Sequence, residues 1–126
     1  MQPCKITIVT TEQNREIKTV RDGEMRLCGL DAVLVYKEAQ AAVKMIFQGE
    51  SVEIVRQGDY SMRLLLKKDK LEKGELGIGG SSGEIQNFSH KIAYSVRDNG
   101  MMALLHYDLI IGAEKQELRL RLSAQG

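Results

Sequence analysis

Proline is nearly missing from this sequence, occurring once, as Pro3. Proline cannot donate to a sheet ladder, so no strand beyond the extreme N-terminus has lost a donor. Tryptophan is absent, and the aromatics are only Tyr36, Phe47, Tyr60, Phe88, Tyr94 and Tyr107. That is too sparse a supply for a base-stacking platform. A charge excess is missing as well: Lys+Arg 18 against Asp+Glu 17 leave a formal net charge of +1. The chain as a whole therefore has no electrostatic pull toward nucleic acid or an anionic membrane. No apolar run approaches the roughly 18 residues of a spanning helix, and the N-terminus lacks a basic segment followed by an apolar one. The two cysteines, Cys4 and Cys28, have no metal-ligand spacing and are expected as free thiols of a reducing compartment. These absences together predict a cytoplasmic protein with neither a membrane nor a nucleic acid as partner.

What is present is period-two alternation. Residues 1–126 suit one domain with its own core. Apolar residues alternate with polar ones through Ile6-Ile8, Val43-Met45-Phe47, Val52-Ile54, Met62-Leu64-Leu66, Ile92-Tyr94-Val96, Leu105-Tyr107-Leu109 and Leu118-Leu120-Leu122. Turn chemistry falls between the runs at Glu12 to Asn14, Cys28 to Asp31, Gly58-Asp59, Lys67 to Lys70, Asp98 to Gly100 and Gly112-Ala113. The pattern predicts an all-β fold, an antiparallel up-and-down meander of about eight to ten strands closing into a barrel. Two segments have helix-forming composition, Glu38 to Phe47 and Glu114 to Arg121. Alternation outweighs composition in both: a helix would scatter Leu118, Leu120 and Leu122 around its surface, whereas a strand gathers them on one face.

Register fixes which side chains face inward, because a hairpin must keep the apolar sets of its two strands together. A short loop at Gly112-Ala113 sets Tyr107 opposite Leu118 and Leu105 opposite Leu120. The same logic at Arg97 to Gly100 pairs Val96 with Met101, Tyr94 with Ala103, Ile92 with Leu105 and His90 with Tyr107. Around Gly49-Glu50 it pairs Phe47 with Val52 and Val43 with Arg56. Arg56, His90, Tyr94 and Tyr107, joined by Tyr60, thus form the expected inward polar set. His106 and Asp108 fall on the outer face, where a solvated polar surface is the simple expectation. The parity of Cys28 to Tyr36 stays open, since both faces there carry apolar residues.

The chain resembles the YwiB-like bacterial proteins of unknown function, which have a lipocalin-like (calycin) barrel. The resemblance rests on Gly49-Glu50-Ser51-Val52-Glu53-Ile54-Val55-Arg56-Gln57-Gly58, on Gly74-Glu75-Leu76-Gly77-Ile78, on Leu104-Leu105-His106-Tyr107-Asp108-Leu109 and on the alternating C-terminal strand. The chain departs from the family pattern just before Gly74. Lys70-Leu71-Glu72-Lys73 stands where relatives commonly carry an aromatic and a Thr-Pro pair. The resemblance implies the barrel and no particular activity.

Catalytic patterns are absent. Gly77-Ile78-Gly79-Gly80-Ser81-Ser82-Gly83 has no Gly-Lys-Ser/Thr ending and no helix after it, so it is expected to bend a strand rather than cradle phosphate. His90 and His106, the only histidines, fall on opposite predicted faces, which argues against a shared metal or a nucleophile relay. Lys67, Lys68, Lys70 and Lys73 are interleaved with Asp69, Glu72 and Glu75, as on a solvated loop. No enzyme, metal or cofactor is predicted. A guanidinium facing an apolar interior needs an internal partner, a bound anion or a wet barrel mouth. A barrel of this size has room for one small molecule, and the methionines give its wall adaptability. Two functions follow: non-catalytic binding of a small, partly apolar ligand by Arg56, Tyr60, His90, Tyr94 and Tyr107, or a filled barrel that contacts a partner or a second copy through outer apolar residues such as Met102, Leu104 and Ile110.

Overall fold

Each alternating run becomes a strand, and each cluster of turn residues becomes a tight reversal. The computed structural model describes residues 1–126 and consists of β1 (Gln2–Glu12), β2 (Arg15–Cys28), β3 (Asp31–Glu38), β4 (Ala41–Gln48), β5 (Ser51–Gly58), β6 (Tyr60–Lys67), β7 (Leu71–Ile78), β8 (Ser81–Arg97), β9 (Gly100–Ile111) and β10 (Glu114–Gln125). Every strand pairs antiparallel with its sequence neighbours, and β10 closes the ring on β1. The fold is a closed ten-stranded meander, as the alternation predicts. The two segments of helix-forming composition are β4 and β10.

The meander puts alternate turns at opposite ends. At one end the chain termini lie beside the β8–β9 turn, where Asn99 bonds to both: its Oδ1 accepts from Gln2 Nε2 (2.6 Å) and its carbonyl from the Gly126 amide (3.0 Å). The other end, here called distal, carries the β1–β2, β3–β4, β5–β6, β7–β8 and β9–β10 turns. The glycine run is one of these. Gly79 and Gly80 take positive φ angles of 57° and 84°, the left-handed pair that a two-residue hairpin turn demands. The glycines therefore reverse the chain instead of bending one continuous strand.

The inner faces merge into one cluster of 22 buried residues, with Phe47, Met25, Leu34, Leu64, Leu66 and Met101 among the side chains almost wholly removed from water. Each such side chain contributes about 1.5–3 kcal/mol of transfer free energy. On β3 the open parity resolves with Ala32, Leu34 and Tyr36 inward, leaving Val33 and Val35 on the outer side.

One irregularity rearranges a predicted site. The β8–β9 register runs Val96↔Met101, Tyr94↔Ala103 and Ile92↔Leu105 as expected, then shifts between Ser89 and Lys91. His90 is the extra residue of a β-bulge, and the opposing pairs become Lys91↔His106 and Ser89↔Tyr107. The bulge reverses inner and outer parity along β8. Ile85, Asn87 and Ser89 face inward on one side of it, Ile92 and Tyr94 on the other. The backbone carbonyl of Ser89 takes its hydrogen bond from the amide of Asp69, in the β6–β7 turn, at 2.7 Å.

Candidate functional site at the distal end of the barrel

The residues expected to share the interior divide among four places. Arg56 lies at the distal mouth, beside the β5–β6 turn. Its Nη1 donates to the Tyr60 carbonyl (2.8 Å), its Nη2 donates to Asp59 Oδ1 (2.8 Å), and its Nε stands 3.5 Å from Glu38 Oε2. The guanidinium also stacks 3.7 Å from the centre of the Tyr60 ring. Hydrogen bonding to Arg56 holds the Asp59 carboxyl below its ordinary range. The cation thus has an internal partner on each side, so it keeps the β3–β4 and β5–β6 turns together. Tyr60 itself sits at the rim, 36% exposed.

Tyr94 occupies the opposite end. Its ring tilts against Phe47, 5.3 Å between centres, and its hydroxyl donates to the Gly49 carbonyl at 2.8 Å. It caps the terminal end of the barrel.

His90 is not inside, because the bulge turns it outward. There its Nε2 lies 2.8 Å from Asp108 Oδ2, and its ring centre is 4.7 Å from that of His106. The expectation that the two histidines face opposite sides is thereby overturned by the same extra residue. Asp108 corrects a second expectation. It holds an outer-face position, yet its side chain is only 5% exposed because His90 and Lys115 reach it, Lys115 Nζ at 3.4 Å. Burial raises its pKa, but the hydrogen bond and charge of His90, followed by those of Lys115, win and leave it below the ordinary carboxylate value. A carboxylate with a depressed folded-state pKa contributes stability that is present above its unfolded pKa and lost as pH falls through the folded one. Asp108→Asn is therefore expected to flatten the acid limb of stability below about pH 4. Melting temperatures of parent and variant measured from pH 7 down to pH 3 check this; parallel curves would show that the carboxylate contributes nothing.

Tyr107 is inward and buried, as the register predicts, and burial pushes its hydroxyl up to about 12. Its surroundings include residues the sequence did not single out. Tyr36 is raised still further, by burial first, then by Glu38 and Tyr107, with Arg21 opposing. Asn87 and Ser89 are fully buried, and Asn87 Oδ1, Asn87 Nδ2 and Ser89 Oγ have no hydrogen-bond partner in the protein. Ser89 is the register partner of Tyr107, and Asn87 that of Leu109. Such groups in an interior call for a polar guest, water or ligand.

The distal end also carries an opening, next to their strand partner Leu109. The β1–β10 pairing ends at Thr11↔Arg119, so beyond it the β1–β2 and β9–β10 hairpin tips part. A notch of about 710 Å³ fills the gap, with Leu109 and Gln116 in its wall and Glu114, Lys115, Glu117 and Arg119 around it. Gln116 Nε2 donates to Glu12 Oε1, joining β10 to β1 there. Leu109 belongs to both features: it lines the notch and pairs with Asn87.

These features form a concave polar mouth backed by an apolar interior. The structure contains no helix long and apolar enough to cross a membrane. Among known proteins, the crystal structure of the ywiB protein from Bacillus subtilis superposes with a TM-score of 0.87 at 12% sequence identity, covering 99% of this chain and 92% of that one. At that identity the likeness concerns the fold alone. No curated protein matches the chain. The family described as "Domain of unknown function (DUF1934)" matches residues 4–122, and the chain belongs to that family.

Proposed function

We propose that this protein is a non-catalytic binding barrel of the cytoplasm that admits a small, partly apolar molecule at its distal notch. The supporting observation is the pair Asn87 and Ser89, fully buried without protein partners behind Leu109. A ligand hydroxyl or amide satisfies them, while Leu109 and Ile111 contact its apolar part. Arg56 holds no ligand carboxylate in this reading, because Glu38 and Asp59 already neutralise it. The exposed thiol of Cys28 suits a reducing compartment.

Native mass spectrometry of protein purified from its own cells tests the reading, with the double variant Asn87→Leu/Ser89→Ala beside the parent. The expected result is a small bound mass in the parent that the folded variant lacks. A bare parent would count against the binding barrel. Stability gives a second expectation: with ligand stripped, the variant should be at least as stable as the parent, since each orphaned buried group costs about 1–3 kcal/mol.

A second reading is favoured by the outer face. Met102 (57% exposed), Leu104 (42%) and Val20 (50%) lie on the continuous outer surface of β9, β10, β1 and β2. The adjacent exposed pair Met102 and Leu104, two apart on one face of β9, suits a contact with a partner protein or a second copy. A dimer in the same spectra, dissolved by Leu104→Lys, would support it.

A further inference from the structure

We infer that the outer face of β8, β9, β10 and β1 carries a separate binding site for a small molecule with a phosphate group joined to an apolar moiety. The register places Lys91, His106, Arg119 and Thr11 in one row across four strands, and Ala93, Leu104, Arg121 and Val9 in the next. Neighbouring strands are about 4.8 Å apart, so the basic side chains of the first row stand side by side. Arg121 flanks them from the second row.

Basic groups directly opposite one another in a sheet destabilise it unless anions intervene. The neutralisation available here is partial. Glu117 Oε1 is 3.7 Å from Arg119 Nη2 and Glu117 Oε2 is 3.6 Å from His106 Nε2, both longer than hydrogen bonds. Glu16 stands at the rim, while Lys91 and Arg121 form no ion pair. Three permanent cations and one imidazole therefore face two carboxylates.

The surface between them is concave. A cleft of about 440 Å³ is lined by these basic groups, with Val9 and Leu104 as its apolar floor. That volume suits a small molecule. Its polar wall suits a phosphate, whose oxygens match the planar fork of an arginine and the point charge of a lysine. The imidazole of His106 is braced from behind by the ring of His90, itself fixed by Asp108. No phenylalanine, tyrosine or tryptophan lines the cleft, so it lacks a broad platform for stacking successive bases, and a single-stranded nucleic acid is disfavoured.

The experiment is an amide chemical-shift titration of the whole ¹⁵N-labelled chain with phenyl phosphate, inorganic phosphate and a short oligothymidylate. Lys91→Gln/Arg121→Gln is the comparison variant, and both changes lie outside the notch. The inference predicts saturable shifts with phenyl phosphate centred on Lys91, Leu104, His106 and Arg121, weaker binding of inorganic phosphate, and about tenfold loss in the variant. Unchanged spectra with phenyl phosphate, shifts that survive in the variant, or equal binding of inorganic phosphate would overturn it. So would tight binding of the oligothymidylate with none of phenyl phosphate.

Discussion

Phe47→Ala is expected to destabilise the protein by about 3–5 kcal/mol. Phe47 has no exposure to solvent and is the largest of the fully buried side chains. It stands between Ala32 on β3 and Val52 on β5, so there is little neighbouring bulk to relax into the space its removal leaves. It also supports the ring of Tyr94, whose hydroxyl closes the terminal end of the barrel on the Gly49 carbonyl. Against a typical total of about 5–15 kcal/mol, such a loss leaves a small domain marginal. For a chain of this length the melting temperature should fall on the order of 10–20 °C. Urea and thermal denaturation followed by circular dichroism measure it. A loss under about 1 kcal/mol would mean that the interior beneath the β4–β5 turn is not close-packed. Tyr94→Phe keeps the ring and removes only the hydroxyl, so it should cost about 1 kcal/mol.

The strands and most of their register were legible because alternation and turn residues act locally. Val43↔Arg56 and Leu105↔Leu120 follow from short hairpin loops, which preserve parity from one strand to the next. Parity cannot be carried through a bulge, and the errors gather around one. Counting back from Val96 puts His90 inside, but His90 is itself the extra residue, so Ser89 takes the place opposite Tyr107. The signal was available: Ile85 and Ile92 are an odd number of residues apart, and two inward residues of one strand can be so only if it bulges between them. Asn87 and Ser89 were then readable as inward. Alternation puts Asp108 on its outer face, but its burial depends on His90 and Lys115 reaching across from elsewhere in the fold, which no periodicity records. The fate of Arg56 was similarly hidden. Pairing with Val43 shows that it faces inward, whereas its capture by Glu38 and Asp59 depends on how two turns meet.

The interior and the outer face are separated by chemistry as well as position. The interior polar groups Asn87, Ser89, Tyr36 and Tyr107 are uncharged, and burial raises both tyrosine hydroxyls so that they stay protonated. Around Asn87 and Ser89 the proposed inner site would therefore favour a neutral guest, since an unpaired ion would be costly there, whereas Arg21 is the charged group near Tyr36. The proposed outer cleft keeps its cations in water and would favour an anion. The two proposed sites should respond differently to salt, with only the outer one weakening as ionic strength rises.

Gly23→Val should be as disruptive as loss of the largest core side chain, for the reverse reason. Gly23 lies on the inner face of β2, where the strand begins to pair with β3 through Gly23↔Tyr36 while still pairing with β1 through Cys4↔Gly23. The barrel turns a corner there, and the backbones approach closely. A Cβ at this position would stand 2.5 Å from the Val35 carbonyl oxygen, 2.8 Å from Ile6 Cδ1 and 3.1 Å from Tyr36 Cβ. The first of these neighbours is backbone in a sheet ladder and cannot swing aside as a side chain can. Relief requires β2 and β3 to separate, which also displaces Tyr36. We expect a loss of about 3 kcal/mol or more, at the upper end of overpacking costs. Gly29→Ala serves as the comparison for backbone freedom without crowding, because Gly29 has a φ of +62° and nothing within 4 Å of its Cβ position. That change should cost about 1 kcal/mol. If hydrogen exchange shows the β2–β3 amides of Gly23→Val as well protected as those of the parent, the close approach at this corner is not what closes the barrel.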